Sequence, residues 1–432
     1  MSSSSAATSH QNSAERALPA EAGGGNPETT IVFTGNIWCP VQGRLRALAV
    51  SGDRVIAVND AAEAKLPDAE RRHVEGLLIP SFGDGHAHPL FGGLESAGPQ
   101  IRPAGSVEEI VARVGRYAEE HSELEWITGA SYDSSLVPEG LFDARWLDAA
   151  VPDRPVMLRA WDYHTAWVNT RALEIAGIDD QTPDPVLGSL PRRPDGSVMG
   201  TLREWGAVDL VKAHAGPPPL EVRIESIERA SRAYAALGVT WVQDAWVDAE
   251  ELEAYLEAGR QDRLGIAYNL ALYADPRRGL EQLDWIQQAR RAVEALDHPL
   301  LTAHTVKFFA DGVVENETAA VLEAYHSADQ EEATPDAATR EAAPHQAAGH
   351  QHPHPHGMLV WEPEDLREMV VAVDRLGFQP HLHAIGDRAT RVALDAIEAA
   401  VQANGPRDRR PVIAHLQLVD PQDRQRLADL GV

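Results

Sequence analysis

The sequence predicts an α/β protein in which a small β-domain precedes a parallel sheet or barrel. Over most of the chain, short apolar segments alternate with amphipathic helical segments, and a group of short strand-like segments at 30–79 comes before them. Strand–helix alternation is typical of βαβ units, which build parallel sheets. A chain of 432 residues is long enough for one large domain and a smaller one.

The chain begins with a segment that predicts no fold. Residues 1–29 are rich in Ser, Ala, Gly and Glu, and they lack the basic start and apolar stretch of a signal peptide. We expect them to form a disordered leader. The segment 30–79 then carries short apolar runs separated by turn residues, which is the pattern of part of a β-sandwich.

The main domain is predicted to cover 80–432. A long segment, 89–219, follows the first strand and contains apolar runs of its own, so we expect a folded insertion. A second insertion, 326–356, is of low complexity and rich in histidine, which predicts a disordered loop. The predicted strands are 77–82, 238–244, 264–272, 303–309, 378–383 and 411–416, with helices that include 220–236, 364–376 and 388–403.

Charge and cysteine content exclude several classes of protein. The net charge of −28 argues against nucleic acid and anionic membranes as partners. There is no apolar run of the length that spans a membrane. The single cysteine, Cys39, excludes an intrachain disulfide framework and a thiolate metal cluster. We expect a cytoplasmic protein that acts on a small molecule; a homo-oligomer is left open.

Two histidines on one predicted strand end suggest a metal site. In an extended segment, residues i and i+2 point the same way, so His86 and His88 can grip one cation. Lys307, His383 and His415 fall at the carboxyl ends of three later predicted strands. Functional groups of (β/α)8 barrels come from such strand ends, and four imidazoles there could hold one or two divalent ions.

Lys307 is unusual among candidate ligands, because an ammonium group repels a metal. Burial and nearby cations would lower the pKa of its amine and free the nitrogen. A neutral amine can react with carbon dioxide to give a carbamate, an anion that could bridge two metals. Two alternatives stand beside this interpretation: each histidine as a hydrogen-bonded structural residue, and Lys307 paired with a carboxylate such as Asp311.

Several motifs resemble those of the amidohydrolase superfamily, and most closely its amidohydrolase-3 (YtcJ-like) branch. The resemblance runs from about residue 30 to the end of the chain, apart from 326–356. It rests on His86-Ala87-His88 after Ile79-Pro80-Ser81-Phe82, on Val306 to Gly312, on His383-Ala384-Ile385-Gly386-Asp387-Arg388-Ala389, on Asp162-Tyr163-His164 with Trp167-Val168-Asn169, on Gly177-Ile178, and on Pro194-Asp195-Gly196 with Gly200 and Glu204.

The resemblance implies a metal-dependent hydrolase on a (β/α)8 TIM-like barrel with a flanking β-sandwich. It implies that His86 and His88 bind one metal, that His383 and His415 bind a second, and that carboxylated Lys307 bridges them; the metals would be two zinc ions. The reaction would be hydrolysis of a non-peptide C–N bond, in an amide or cyclic amide, by metal-activated water.

Substrate contacts can be named only as candidates. Asp162 and His164 either line the pocket or brace the insertion. His381 lies two residues before His383 on the same strand face, so it is a substrate contact or an alternative ligand.

The sequence departs from the family pattern at its end. The family places a catalytic aspartate on strand 8, and no residue here corresponds to it, so the catalytic base is unknown. Only 17 residues follow His415, and they predict one helix with Asp420 as N-cap and Pro421 at its first position. We therefore expect about six of eight barrel strands, and a truncated product or fragment that is poorly soluble and nearly inactive.

Two other functions remain open. A related deaminase would attack a ring carbon, but deaminase-like members usually use one metal and no bridging lysine, so Lys307 favours amide hydrolysis. A non-enzymatic metal-binding fragment is the other alternative, favoured by the missing aspartate.

Overall fold

A computed structural model describes residues 30–64, 69–325 and 354–432. The predicted leader, 1–29, and most of the histidine-rich insertion, 326–353, lie outside the described residues. The chain divides into two compact units, Met1–Ser81 and Phe82–Val432. Among the described residues, no helix is long and apolar enough to cross a membrane.

The first unit is a four-stranded sheet with the strand order β3-β2-β1-β4. Strands β1 to β3 pair in antiparallel fashion, and β4 joins β1 in parallel. Its small core contains Val32, Ala47, Ala49 and Ala62. The elements are β1 (Thr30–Cys39), β2 (Gly43–Ser51), β3 (Arg54–Val58), α1 (Asp60–Ala64) and β4 (Glu70–Leu78).

The boundary between the units corrects one predicted strand. The run 77–82 was expected to be the first strand of the main domain, but Leu77 and Leu78 end β4, and the next strand starts at Phe82. Pro80 lies between them and has no backbone N–H to donate to a ladder, so the apolar run cannot continue as one strand.

The second unit contains two sheets and the remaining helices. Its strands are β5 (Phe82–Ala87), β6 (Ile127–Tyr132), β7 (Val156–Ala160), β8 (Thr165–Val168), β9 (Thr201–Arg203), β10 (Val239–Val247), β11 (Ala267–Tyr273), β12 (Leu301–Phe309), β13 (Gln379–Ala384) and β14 (Val412–His415). Its α-helices are α2 (Pro89–Glu95), α3 (Val107–Glu120), α4 (Ala144–Asp148), α5 (Thr170–Ile175), α6 (Glu204–Ala215), α7 (Leu220–Ala236), α8 (Ala249–Arg260), α9 (Leu283–Leu296), α10 (Pro363–Arg375), α11 (Asp387–Asn404) and α12 (Arg424–Leu430).

The main sheet has six strands in the order β14-β13-β12-β11-β10-β5, and every neighbouring pair is parallel. Helices α7 to α11 connect or cover these strands, and together they enclose the largest apolar core of the described residues. The side of the sheet that the helices cover is apolar, and the same strands also carry buried polar residues, among them Gln243, Asn269 and Lys307. This confirms the predicted α/β fold class, an incomplete TIM-like barrel.

The sheet curls so that its two edge strands meet at their carboxyl ends. Strands β5 and β14 lie at opposite edges, yet the ring centroids of His86 and His415 are only 4.9 Å apart. Side chains from the carboxyl ends of the two edge strands therefore point toward one space.

Residues 89–219 fold around a second sheet with the order β6-β7-β8-β9. Strands β6 and β7 are parallel, while β8 pairs in antiparallel fashion with both β7 and β9. Two apolar clusters flank this sheet, one around Tyr132, Phe142 and Trp167 and one around Leu202 and Val208. The tight pairing of β7 with β8 carries the turn that holds Asp162 and His164.

The last helix starts later than the sequence predicts. Asp423, not Asp420, is the residue before α12, and Pro421 lies in a turn. The carboxylate of Asp420 accepts the amide N–H of Gln422, so it caps this turn instead. Gly431 ends the helix with a φ of 70°, the left-handed conformation that favours glycine.

Candidate metal centre

Strand register brings the predicted ligands to one end of the main sheet. Lys307 on β12 lies opposite His381 on β13, and His415 on β14 lies opposite Ala384. His86 is the penultimate residue of β5, and His88 directly precedes α2. Because parallel strands share one carboxyl edge, side chains far apart in sequence meet there.

The imidazoles form a continuous group of ring contacts. Ring centroids lie 5.5 Å apart for His86 and His88, and 4.6 Å apart for His383 and His415. His86 joins the two pairs, because its ring lies 4.9 Å from that of His415. Lys307 is fully buried beside them, with its Nζ 4.6 Å from the ring centroid of Phe309.

The side chains of the cluster do not point their donor atoms at one common position. Among the described residues, no three His, Cys, Asp or Glu side chains converge as a group that could hold a metal ion. Ring nitrogens make hydrogen bonds instead: His86 Nδ1 lies 2.7 Å from His381 Nε2, and His383 Nε2 lies 3.1 Å from the carbonyl oxygen of Gly312.

Two of the buried nitrogens that lack a hydrogen-bond partner within the described part of the chain belong to this cluster. These are Lys307 Nζ and His88 Nδ1. Leaving a buried polar atom unpaired costs about 1–3 kcal/mol, so such atoms mark a place where a ligand would stabilise the protein. Burial and the charge of Lys307 lower the pKa of His88 to about 3, and burial lowers the pKa of Lys307 to about 7. Neutral nitrogens carry the lone pairs that a divalent cation needs, so the donor set fits one.

His415 has an unusual backbone. Its φ is 80°, and that of Leu416 is 47°, both in the left-handed region that side chains rarely adopt. Such backbone conformations occur at sites where the surrounding structure fixes the direction of a side chain. Here the conformation ends β14 and turns the chain away just after the imidazole.

Two carboxylates border the cluster, and the sequence analysis singled out only one. Asp244, at the end of β10, has Oδ1 3.8 Å from His88 Nδ1, and its Oδ2 accepts the hydroxyl proton of Tyr255. Burial raises the pKa of Asp244 to about 7. The signal for Asp244 was present in the sequence: a polar residue at the carboxyl end of an apolar strand.

Asp311 does not pair with Lys307. Its oxygens accept three backbone N–H groups, from Ala320, Ile385 and Gly386. Burial raises the pKa of Asp311 to about 7. Its structural task is therefore to hold the loop after β13, and the carboxylate whose charge acts on Lys307 is Asp244.

Asp162 and His164 were predicted either to line the pocket or to brace the insertion, and the structure places them differently. Asp162 Oδ1 accepts the backbone N–H groups of His164 and Thr165 at 2.7 and 3.0 Å, so it shapes the turn before β8. The ring of His164 lies 5.4 Å from that of His383, which places His164 beside the cluster.

Glu204 is the partner of His164, and it had no role in the sequence analysis beyond its place in a motif. His164 Nδ1 lies 2.8 Å from Glu204 Oε2, and both side chains are buried. Burial opposes the charged form, but the charge and hydrogen bond of Glu204 raise the pKa of His164 above its ordinary value. Glu204 has a φ of 62°, and it also accepts the hydroxyl proton of Thr318. No local sequence pattern predicts such a long-range pair.

Aromatic rings form a wall next to His88. Phe91 stacks on His88 with centroids 5.5 Å apart, and Tyr163 stacks on Phe91 at 5.4 Å. Trp246 meets Phe91 at 5.8 Å and Trp205 at 4.3 Å. We call Phe91, Tyr163, Trp205 and Trp246 the aromatic wall. An apolar group held there would be shielded from water.

A parallel sheet whose strand ends gather four imidazoles and a buried lysine defines a protein of the amidohydrolase superfamily. The Amidohydro_3 model, described as an amidohydrolase family, matches residues 75–432, so the chain belongs to this family. The predicted amidohydrolase-3 branch is thereby confirmed.

Curated relatives are similar over most of this chain. Protein LONG AFTER FAR-RED 3 of Arabidopsis thaliana is 28% identical over 89% of this chain and 63% of its own length. N-substituted formamide deformylase of Arthrobacter pascens is 25% identical over 90% of this chain and 68% of its own length. The chain thus spans about two thirds of the length of these relatives.

A solved structure has the same fold. The crystal structure of an uncharacterized metal-dependent hydrolase from Pyrococcus furiosus superposes with a TM-score of 0.63 at 24% sequence identity. The match covers 93% of this chain and 76% of that one. The described units of this chain therefore have the architecture of that hydrolase.

Proposed function

We propose that this protein is a metal-dependent amidohydrolase that cleaves a non-peptide C–N bond in a small amide or cyclic amide. The proposal rests on Lys307 Nζ and His88 Nδ1, two buried nitrogens that have no hydrogen-bond partner among the described residues and lie among imidazoles at the carboxyl ends of parallel strands. Family membership supports the reaction class, and the name of the Arthrobacter pascens relative supports an amide-type bond.

The proposed ligands divide into two pairs and a bridge. His86 and His88 would hold one divalent ion, His383 and His415 would hold the second, and carboxylated Lys307 would be a ligand shared by both. We propose zinc for both ions, since imidazole nitrogen suits zinc. Bound there, the metal supplies a water of lowered pKa and polarises the scissile carbonyl.

Lys307 is proposed to act as a carbamate. Its lowered pKa of about 7 leaves much of the amine neutral at neutral pH. The Nζ lone pair attacks the carbon of carbon dioxide, an N–C bond forms, one C–O π bond breaks and a proton leaves the nitrogen. The product is an anion with two oxygens. A protonated lysine would repel a metal ion, whereas this anion would attract one and serve as a shared ligand.

His164 and the aromatic wall are proposed to bind substrate. The carboxylate of Glu204 holds His164 at Nδ1, which leaves the other ring nitrogen for a hydrogen bond to substrate. Asp162 contributes by fixing the turn before His164 rather than by direct contact. Phe91 and Trp246 exclude water and contact an apolar substituent next to the scissile bond.

Metal content of single-residue variants tests the site. We expect the full chain to bind about two zinc ions and His88→Ala and His383→Ala each to lose about one. The matched control is His298→Ala, because His298 is partly buried but contacts Asp262 far from the cluster in the fold. Unchanged metal content in His88→Ala contradicts the assignment.

Turnover and peptide mass distinguish the reaction classes. Amide hydrolysis predicts release of amine from N-substituted formamides or ring opening of cyclic amides, with one added carbon dioxide on the Lys307 peptide. A single bound metal, an unmodified lysine and ammonia release from an amino-substituted ring identify a deaminase instead. Bound metal without turnover on either substrate set identifies a metal-binding protein.

A further inference from the structure

A row of buried polar side chains crosses the interior of the main sheet beneath the imidazoles. Asn269 on β11 lies next to Gln243 on β10, Gln243 next to His381 on β13, and His381 next to His86 on β5. Each link is a hydrogen bond of 2.6–2.9 Å. The proposed metal ligand His86 is thus connected to residues that the catalytic site does not use.

The row has a fixed direction, because a backbone amide starts it. The N–H of His304 can only donate, and it lies 3.0 Å from Asn269 Oδ1, which must therefore accept. The hydroxyl of Thr302 donates to the same oxygen. The other end of the Asn269 amide is then the NH2 group, which donates to Gln243 Oε1 at 2.9 Å.

The direction passes from the amides to the imidazoles. With Oε1 of Gln243 accepting, its Nε2 faces His381 Nδ1 at 2.6 Å and must donate. His381 Nδ1 therefore accepts, and a neutral ring carries its proton on Nε2. A proton on both nitrogens would set N–H against N–H at this short distance. His381 Nε2 then donates to His86 Nδ1 at 2.7 Å.

We infer that Gln243 and Asn269 are positioning residues that fix the tautomer of His381 and, through it, that of His86. His381 is then a hydrogen-bond donor to His86 and not a metal ligand or substrate contact. His86 Nδ1 is occupied as an acceptor, and its own proton lies on Nε2. A metal can take His86 only if that proton leaves or the bond from His381 breaks.

The consequence for metal affinity rests on the proposed function. A row that opposes ligation at His86 makes this the weaker half of the site, because either ring nitrogen of His86 must give up a proton or a hydrogen bond before it can bind a metal. Reversing the row removes this opposition. Gln243→Glu does so with no change in shape: one carboxylate oxygen accepts from Asn269, and the other accepts a proton-bearing Nδ1 of His381.

Histidine tautomers in the full chain test the inference directly. We expect nitrogen NMR of 15N-histidine-labelled, metal-free protein to show His381 protonated on Nε2 in the wild type and on Nδ1 in Gln243→Glu. The matched control is Gln282→Glu, a buried glutamine that bonds only loop atoms near Asp275 and Gly279. Gln282→Glu should leave the tautomer of His381 unchanged.

Zinc affinity, measured by competition with a chelator, is the second readout. We expect Gln243→Glu to bind the weaker zinc about tenfold more tightly than the wild type. Gln243→Met adds no charge and only frees His381 to turn, so it should tighten binding by about threefold. Gln243→Met also serves if the buried glutamate prevents folding.

The outcomes separate the two ideas. A wild-type His381 protonated on Nδ1, or the same tautomer in wild type and both Gln243 variants, overturns the positioning role. Equal zinc affinity in the wild type and both variants overturns the effect on ligation. Tautomers that switch as expected, in proteins that bind no zinc, support the positioning role and reject the proposed function.

Discussion

Two sets of buried imidazoles face one another across the site, and they are completed in opposite ways. His164, on the sheet of residues 89–219, has a buried carboxylate partner in Glu204, which raises its pKa. His88 and His383, on the main sheet, have pKa values lowered by burial and neighbouring cations. We call His164 with Glu204 the completed set, because the protein supplies the partner of the imidazole. We call His88 and His383 the open set, because their neutral rings keep lone pairs that a ligand could use.

Gly312 lies where the two sets meet. Its carbonyl oxygen is the partner of His383 Nε2, while a Cβ added to it would lie 2.7 Å from Glu204 Oε1 and closer still to the hydroxyl of Thr318. The absence of a side chain is what allows the His164–Glu204 pair to approach the main sheet so closely.

The largest expected effect tests the completed set. Glu204→Ala breaks a buried, hydrogen-bonded pair by removing one partner, so we expect it to destabilise the folded chain by about 3–5 kcal/mol in denaturant unfolding. His88→Ala removes an atom that has no partner among the described residues, and it should change stability by less than about 2 kcal/mol. Equal losses for the two variants would abolish the distinction between the sets.

A methyl group at the meeting point should have the next largest effect. Gly312→Ala forces Thr318 or Glu204 to move, and we expect a loss of about 2 kcal/mol from overpacking. The control is Gly105→Ala, where an added Cβ meets nothing within 4 Å. If Gly312→Ala and the wild type melt at the same temperature, Thr318 and Glu204 can move away from the added methyl group without loss of stability.

Removing the unpartnered amine should act in the opposite direction. Lys307→Met deletes a buried polar atom that lacks a partner within the described residues, so we expect the metal-free chain to gain about 1–2 kcal/mol of unfolding free energy at neutral pH. Lys212→Met is the control, because Lys212 is partly exposed and, unlike Lys307, has a carboxylate partner: its Nζ lies 4.0 Å from Asp248 Oδ2. Destabilisation by Lys307→Met would indicate that the Lys307 amine has a hydrogen-bond or ion-pair partner.

The last expected effect is a dependence of that gain on pH. The folded chain lowers the pKa of Lys307 to about 7 from an ordinary 10.5, so the unfolded chain binds more protons between these values. Wild-type stability due to this group therefore rises as the pH rises from 7 to 10.5. The advantage of Lys307→Met should be largest near pH 7 and should fade toward pH 10; an advantage that does not change with pH removes the titrating lysine from the explanation.

The sequence predicts most strands of the main sheet, for a physical reason, while the ligand role of the imidazoles stays a prediction. Strands of a covered parallel sheet are short apolar runs, and the residues that follow such runs share one edge, so His86, Lys307 and His383 can be placed by counting strands. The first strand was misplaced because Leu77 and Leu78 are apolar for a different sheet. Periodicity alone does not say which sheet an apolar run joins.

The completed set is beyond local sequence patterns. Glu204 reaches His164 through the antiparallel pairing of β8 with β9 and through a left-handed backbone at Glu204 itself. The wall residue Trp246 is likewise identified only by tertiary contacts, whereas Asp244 could have been found by its place after an apolar run. Trp167 lies outside the aromatic wall, in the apolar cluster around Tyr132 and Phe142.

The contact between His86 and His381 also has a consequence for how this chain acquires its site. These residues are 295 positions apart, and their strands do not pair with each other, because β10, β11 and β12 lie between β5 and β13 in the sheet. Closing so long a loop is entropically costly before the intervening strands have formed, and folds of high contact order reach the native state slowly. The imidazoles therefore meet late in folding, and zinc captured earlier by a few of the histidines would act as a kinetic trap instead of a guide.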